Sequence, residues 1–280
     1  MKFERYEGAG NSFLFFKGFL ELSIPAYADF VRRISSKEKG WGVDGCVFME
    51  AKKGRGQWAF FNCDGSIAEF CGNAARCAVL WSKRHDCLDQ NSHFRWESAP
   101  FLNTSYQFKG NIVGQSGVQV CCPIDSSELE VEKITSKDGW SELFSGLGSN
   151  FQAAFWINTG VPHLVILGGD DWEKTEIYSH SFQLRKASQH FRQGGANVTW
   201  VSKSSRQVAT FERGVEDITP ACGSGAFAAF LALEEMNCPM EGLHFPGGKL
   251  SVFRSEDDLI LEGPTSYVGY GVDCADEKES

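Results

Sequence analysis

No stretch of the 280 residues is apolar over the length a bilayer requires, so a membrane-spanning helix is excluded. No block of Lys and Arg interleaved with aromatics occurs either. With 27 basic against 36 acidic residues, a formal charge of −9 and a pI near 5.2, the chain opposes a polyanion, and nucleic acid is excluded as a partner. The opening "MKFERYEGAGNSF" has acids and glycines where a signal peptide needs an apolar core. The expected location is the cytoplasm. Cys-x-x-Cys is missing among the ten cysteines, and Cys121 and Cys122 are adjacent, so neither a metal site nor a disulfide framework is expected. The cysteines read as reduced thiols. Cys46, Cys63, Cys77, Cys87, Cys121, Cys122, Cys238 and Cys274 are mostly expected to be small buried hydrophobes or incidental surface thiols.

Hydrophobic residues make up 42% of the chain and aromatics 13%, with 23 Phe and 8 Trp, which excludes global disorder. The length lies near the point where one core splits, so two domains are expected. "KFERYEGAGNSFLFF" reads as strand, glycine turn, strand. Residues 25–39 carry apolar Tyr27, Phe30, Val31 and Ile34 after Pro25, with Gly40 as a stop, which predicts an amphipathic helix. "CVFMEA" and "QWAFFNC" follow as strands, Asp64-Gly65-Ser66 as a sharp turn, and "HFRWES", "SYQFKG" and "GVQVCC" as further strands. Residues 123–148 read as a domain connection. The order then restarts: strands "AAFWINTG" and "HLVILG", a helix within 171–188, strands at 197–202 and 208–213, and the closing strands "KLSVFR", "LILEG" and "SYVGYGV". An internal duplication is expected.

Each half contains one alanine-rich run led by Cys-Gly: "CGNAARCAVLW" from Cys71 and "CGSGAFAA" from Cys222. A helix starting there presents unpaired first-turn amides and the positive end of its dipole, which suits a carboxylate and favours thiolate over thiol at the leading cysteine. One copy alone reads as a buried cap cysteine. Two matched copies point to a pair of acid/base groups, one thiolate removing an α-proton while the opposite thiol delivers a proton to the other face.

The motifs "GAGNSF" (8–13), "GWGVDG" (40–45), "NCDGSIAEFCGNAARC" (62–77), "NTGVPH" (158–163), "GANVTWV" (195–201) and "ERGVEDITPACGSGA" (212–226) resemble those of the diaminopimelate epimerase family, cofactor-independent enzymes of lysine and peptidoglycan precursor synthesis. The resemblance implies an α+β fold of two pseudo-symmetric domains, each a strand-rich barrel around a central helix, with an amino-acid substrate in the cleft. The domains would be 1–122, joined by a returning strand at 264–280, and 123–263. It implies Cys71 and Cys222 as base and acid, His163 and Glu212 as groups that tune the thiols, and Gly72, Asn73, Gly223 and Ser224 around the reacting carboxylate. Asn11, Asn62, Asn197, Glu212 and Arg213 would belong to the substrate shell, Arg213 and the asparagines Asn62 and Asn197 at the distal head, where a guanidinium fork fits. No metal and no cofactor are implied; a homodimer is.

Taken alone, His163 would be a loop histidine, Arg213 a surface ion pair, and Asn62 or Asn197 turn residues; Glu69 and Glu216-Asp217 read as solvated acids. The chain also departs from the family pattern. Ser12 stands where Asp is usual, Gly45 where a substrate-contacting Gln is usual, Val161 where Asn is frequent and Ala74 where Gly is usual, and the segment from Glu212 to Cys222 is one residue longer. Losing two amides weakens selectivity for a polar distal end. Two alternatives therefore stand beside diaminopimelate epimerisation: a racemase or epimerase of another amino acid, and a non-catalytic carboxylate-binding or thiol-redox relative.

Overall fold

The computed structural model describes residues 1–273 apart from 69, 103–106, 115–116, 122–128, 136–139, 192–193, 239, 241 and 257. The chain divides into two compact units, Met1–Pro123 with Glu262–Ser280, and Ile124–Leu261.

In the first unit, β1 (Lys2–Gly8) and β2 (Asn11–Lys17) form an antiparallel hairpin. Its two turn residues, Ala9 and Gly10, sit at φ of 52° and 84°, the geometry such tight hairpins require. Helix α1 (Ile24–Ser35) crosses over to β3 (Gly45–Lys52), which runs parallel to β2, and β4 (Arg55–Asn62) returns antiparallel. The sequence predicts α1 as far as residue 39. It stops at Ser35 because Ser36 turns extended, and its hydroxyl accepts the Glu38 and Lys39 amides at 3.2 Å each, a local alternative to helical bonds. A second crossover, α2 (Gly72–Arg84), leads to β5 (His93–Ser98), parallel to β4, followed by the antiparallel strands β6 (Gln107–Val113) and β7 (Gly117–Cys121).

The second unit begins with β8 (Glu130–Ile134) and the short α3 (Ser141–Ser145), so residues 123–148 are more than a connection: β8 pairs with β9 (Phe151–Asn158). From β9 the first unit's order repeats. β10 (Pro162–Gly168) is antiparallel to β9, α4 (Lys174–Phe191) crosses to the parallel β11 (Asn197–Ser202), and β12 (Val208–Glu212) returns with a small β13 (Asp217–Ile218). Helix α5 (Gly223–Glu235) then leads to β14 (Gly242–Phe245), bridged in parallel at Gln207 and His244, and to β15 (Gly248–Ser255) and β16 (Asp258–Glu262). The last strand, β17 (Thr265–Val272), belongs to the first unit, where it lies antiparallel to β1 as β8 lies against β9. The fold is α+β and pseudo-symmetric, with α2 equivalent to α5.

Each unit wraps strands round its Cys-Gly helix. Helix α2 touches β1, β6, β7 and β17, strands from both ends of its unit's strand order, and α5 touches β9, β10, β11, β12 and β15. Helix α5 is buried on every side from Gly223 to Leu233 except at Ser224, the pattern of a core helix, and its alanines let the strands approach. The opposite faces carry α1 over Phe16, Phe48 and Phe61 and α4 over Trp156, Trp200 and Phe211. A buried aromatic of this size contributes about 1.5–3 kcal/mol. Among the described residues no helix is long and apolar enough to cross a membrane.

Candidate active site

The two Cys-Gly segments fold alike. Cys71 caps α2 at φ −135°, ψ 110°, and Cys222 caps α5 at φ −123°, ψ 116°. An extended residue ahead of helical ones leaves the first-turn amides facing outward, and on α5 the cap's sulfur takes the place of the usual cap oxygen. At Cys222 the Gly225 amide donates to Sγ at 3.4 Å. Gly225 has no alternative, because a Cβ there would lie 2.5 Å from Thr210 Oγ1. The other described cysteines lie apart from this pattern. Cys46 and Cys77 are buried thiols, with desolvation pushing Cys46 up to about 12, and Cys63 is exposed. Cys122, Cys274 and Glu69 lie outside the described residues.

In the first unit the loop before α2 is tied by Asn62, whose Nδ2 donates to Ser66 Oγ at 3.0 Å while Gly65 turns at φ 83°. Asn62 therefore opens a turn, its carbonyl accepting the Gly65 amide at 2.9 Å. Asn73 is buried and donates from Nδ2 to Asn11 Oδ1 at 2.6 Å. Its Oδ1 accepts from Arg76 Nη2 at 2.8 Å, and Arg76 Nη1 donates to the Gly72 carbonyl at 3.2 Å. Arg76 is fully buried, and desolvation lowers its pKa to about 10, leaving it charged at neutral pH. Sequence reasoning passed over it. The signal was its position three and four residues beyond Asn73 and Gly72, one helical turn away on the same face.

In the second unit His163, on β10 beside Asn197 on β11, is fully buried. Its Nε2 lies 3.0 Å from Ser224 Oγ and its Nδ1 2.9 Å from Thr199 Oγ1. Ser224 Oγ is 3.3 Å from Cys222 Sγ, so His163 and Cys222 share one hydroxyl. Asn197 Oδ1 accepts the Arg213 amide at 2.8 Å, and the exposed Arg213 side chain donates from Nη1 to the Gly194 carbonyl at 2.8 Å. Glu212 is held by Thr219 Oγ1 at 2.5 Å. Burial, then the Glu212 carboxylate, push the Cys222 thiol well up, while the Ser224 hydroxyl and the Gly225 amide pull the other way. Cys222 is therefore a thiol at neutral pH. Thr199, Thr210 and Thr219 were not singled out from sequence, where a threonine in a strand is ordinary β-former.

Burial, aided by the Arg213 charge, lowers the His163 pKa to about 3, so the ring is neutral at physiological pH. An unfolded chain takes up this proton near pH 6.5 and the native protein only near 3, so between those values the unfolded state binds more protons. Stability conferred by neutral His163 is complete above about pH 6.5 and lost as pH falls through that window. Urea titrations at pH 7 and pH 4 are expected to show the loss, and His163→Gln to reduce the difference between the two pH values.

A family model for diaminopimelate epimerase matches residues 3–98. The diaminopimelate epimerase of Methanopyrus kandleri is 31% identical over 274 residues, covering 93% of this chain and 85% of that protein. The chain belongs to the diaminopimelate epimerase family. The enzyme of the same name from Helicobacter pylori strain Shi470 is 29% identical over 281 residues, covering 97% of this chain and 96% of its own. Among solved structures, a predicted epimerase from Pseudomonas aeruginosa superposes with a TM-score of 0.69 at 14% identity, covering 98% of this chain and 99% of its own, and shares the two-domain fold.

Within this diaminopimelate epimerase fold the positions that depart from the family pattern have these surroundings. Ser12 offers its amide to Asp44 Oδ2 at 2.7 Å, and Asp44 returns its own amide to the Ser12 carbonyl at 2.8 Å. The segment Arg213–Ala221 contains the turn from β12 into β13, where Gly214 sits at φ 89°. Gly45 is enforced: a Cβ would lie 2.6 Å from the Phe61 carbonyl oxygen and 2.7 Å from the Phe60 ring. Its cross-strand partner is Asn62. Ala74 and Gly225 are equivalent positions on α2 and α5, and at the second the Thr210 hydroxyl leaves no room for a Cβ.

Proposed function

We propose that the chain interconverts LL- and meso-diaminopimelate by proton removal and return at one α-carbon, with Cys71 and Cys222 as the two acid/base groups. The observation that carries this reading is the pair of cysteine caps on equivalent helices of a duplicated fold. In one direction the Cys71 thiolate takes the α-proton while the Cys222 thiol gives its own; in the reverse the roles exchange and each sulfur recovers its starting state. The first-turn amides of Gly72, Asn73, Gly223 and Ser224 carry the substrate carboxylate and the charge that grows on it. Glu212 keeps Cys222 protonated until it is used, and His163 acts through Ser224. Asn11, Asn62, Asn197 and Arg213 receive the remainder of the substrate; the Ser66 bond takes one Asn62 Nδ2 proton and orients the amide. The scheme needs no cofactor. A place in lysine and peptidoglycan precursor synthesis, a cytoplasmic location and a homodimer accompany it.

A second reading, a racemase or epimerase of another amino acid, rests on the Phe60 ring beside Gly45. Chiral separation after incubation with LL-diaminopimelate and a panel of L-amino acids distinguishes the two. Meso-diaminopimelate as the main product supports the first. Inversion of a different amino acid, with diaminopimelate unchanged, replaces it with the second.

A further inference from the structure

Five side chains in the second unit form one unbroken hydrogen-bonded line. Thr210 Oγ1 lies 3.2 Å from Thr199 Oγ1, Thr199 Oγ1 2.9 Å from His163 Nδ1, His163 Nε2 3.0 Å from Ser224 Oγ, and Ser224 Oγ 3.3 Å from Cys222 Sγ. The direction in which protons point along it follows from its closed end. Thr210, Thr199 and His163 are fully buried, and Thr199 and Thr210 stand directly opposite one another on β11 and β12. A buried hydroxyl proton without an acceptor is costly. Among the described residues the Thr210 side chain has one hydrogen-bonding partner, Thr199 Oγ1, so Thr210 donates and Thr199 accepts.

Thr199 must then place its own proton on the remaining partner, His163 Nδ1. A neutral imidazole that accepts at Nδ1 carries its proton at Nε2 and donates it to Ser224 Oγ. The Ser224 hydroxyl proton is left to face the Cys222 sulfur. The charged groups around this line are Arg213, which acts on His163, and Glu212, which acts on Cys222. Sγ thus accepts from Ser224 and from the Gly225 amide, while its own proton faces Glu212.

We infer that the Thr210–Thr199 hydroxyl pair fixes His163 as its Nε2–H tautomer and so aims the Ser224 hydroxyl at the Cys222 sulfur, holding it ready for the thiolate state. Thr199 and Thr210 are positioning residues, acting through His163. The inference deepens the reading of Cys222 as an acid/base group and rests on it for its purpose, but the tautomer itself is independent of any activity. It also explains Gly225, whose missing side chain makes room for Thr210.

The test is nitrogen NMR of histidine-labelled protein, with the His163 ring assigned by its loss in His163→Gln. The expected spectrum has a protonated Nε2 and an unprotonated Nδ1 for His163 at neutral pH. In Thr199→Val the ring is expected to populate both tautomers and turnover of LL-diaminopimelate to fall tenfold or more with KM little changed, whereas Thr199→Ser keeps the Nε2–H form and most of the turnover. A protonated Nδ1 in the unaltered protein overturns the inference, as does a Thr199→Val protein with the tautomer unchanged. Should neither unaltered protein nor variants act on LL-diaminopimelate while the tautomer is as expected, the inference about His163 stands and the assigned reaction fails.

Discussion

Cys71→Ser and Cys222→Ser are each expected to lower turnover of LL-diaminopimelate by roughly 10³-fold or more, within the range a single acid or base contributes. The size follows from the chemistry of two faces. A lone thiol at one face removes and returns the same proton without inverting the centre, and serine, far less acidic than cysteine, does not replace the missing partner. The substitutions keep size and polarity, and serine is itself a good helix cap, so thermal stability should change little at either position. Steady-state assays with matched melting curves check the expectation. A variant that keeps more than a tenth of the turnover would remove its cysteine from the mechanism.

Gly45→Gln is expected to destabilise the protein by about 1–3 kcal/mol, the usual cost of forcing atoms into a filled core. The Phe61 carbonyl at 2.6 Å belongs to the backbone of the paired strand and cannot step aside, whereas the Phe60 ring at 2.7 Å has a side chain's freedom. Combining Gly45→Gln with Phe60→Ala should therefore recover less than the whole loss. Urea denaturation of the two single variants and the double variant measures the coupling. Additive losses with no coupling would mean that the ring does not hold position 45 empty. The same double variant returns an amide to the place where the family usually has one, and a higher kcat/KM for diaminopimelate in it would identify Gly45 as a specificity position.

Much of this architecture was legible in the chain. The strands at 93–98 and 197–202 follow from alternation and turn residues, and they lie where expected. The duplication was visible because two Cys-Gly starts precede alanine-rich runs, and small residues are what a helix wrapped by strands needs. The C-terminal end of α1 was not, since a serine hydroxyl capturing two amides competes with the helix in a way apolar periodicity does not register. β8 and α3 were missed in a segment whose alternation is weak: the strand's burial pattern has no fully buried position.

The candidate site divides along the same line. Residues assigned to the substrate by resemblance, such as Asn11, Arg213 and Ser224, are proposed from motifs. Those that hold them were not, because Arg76, Thr199, Thr210 and Thr219 matter through partners brought together by crossovers and strand pairing. A buried arginine bonded to the residue two places after a cap cysteine is a tertiary fact. So is a threonine pair facing each other across β11 and β12.

The most direct test of the two-thiol account is to incubate reduced protein with LL-diaminopimelate in D2O and follow the α-proton signals by NMR, with Cys71→Ser alongside. The account predicts loss of one α-proton signal as the meso form appears, with neither change in the variant. Folded protein with free thiols that leaves both α-protons in place and forms no meso isomer would contradict it.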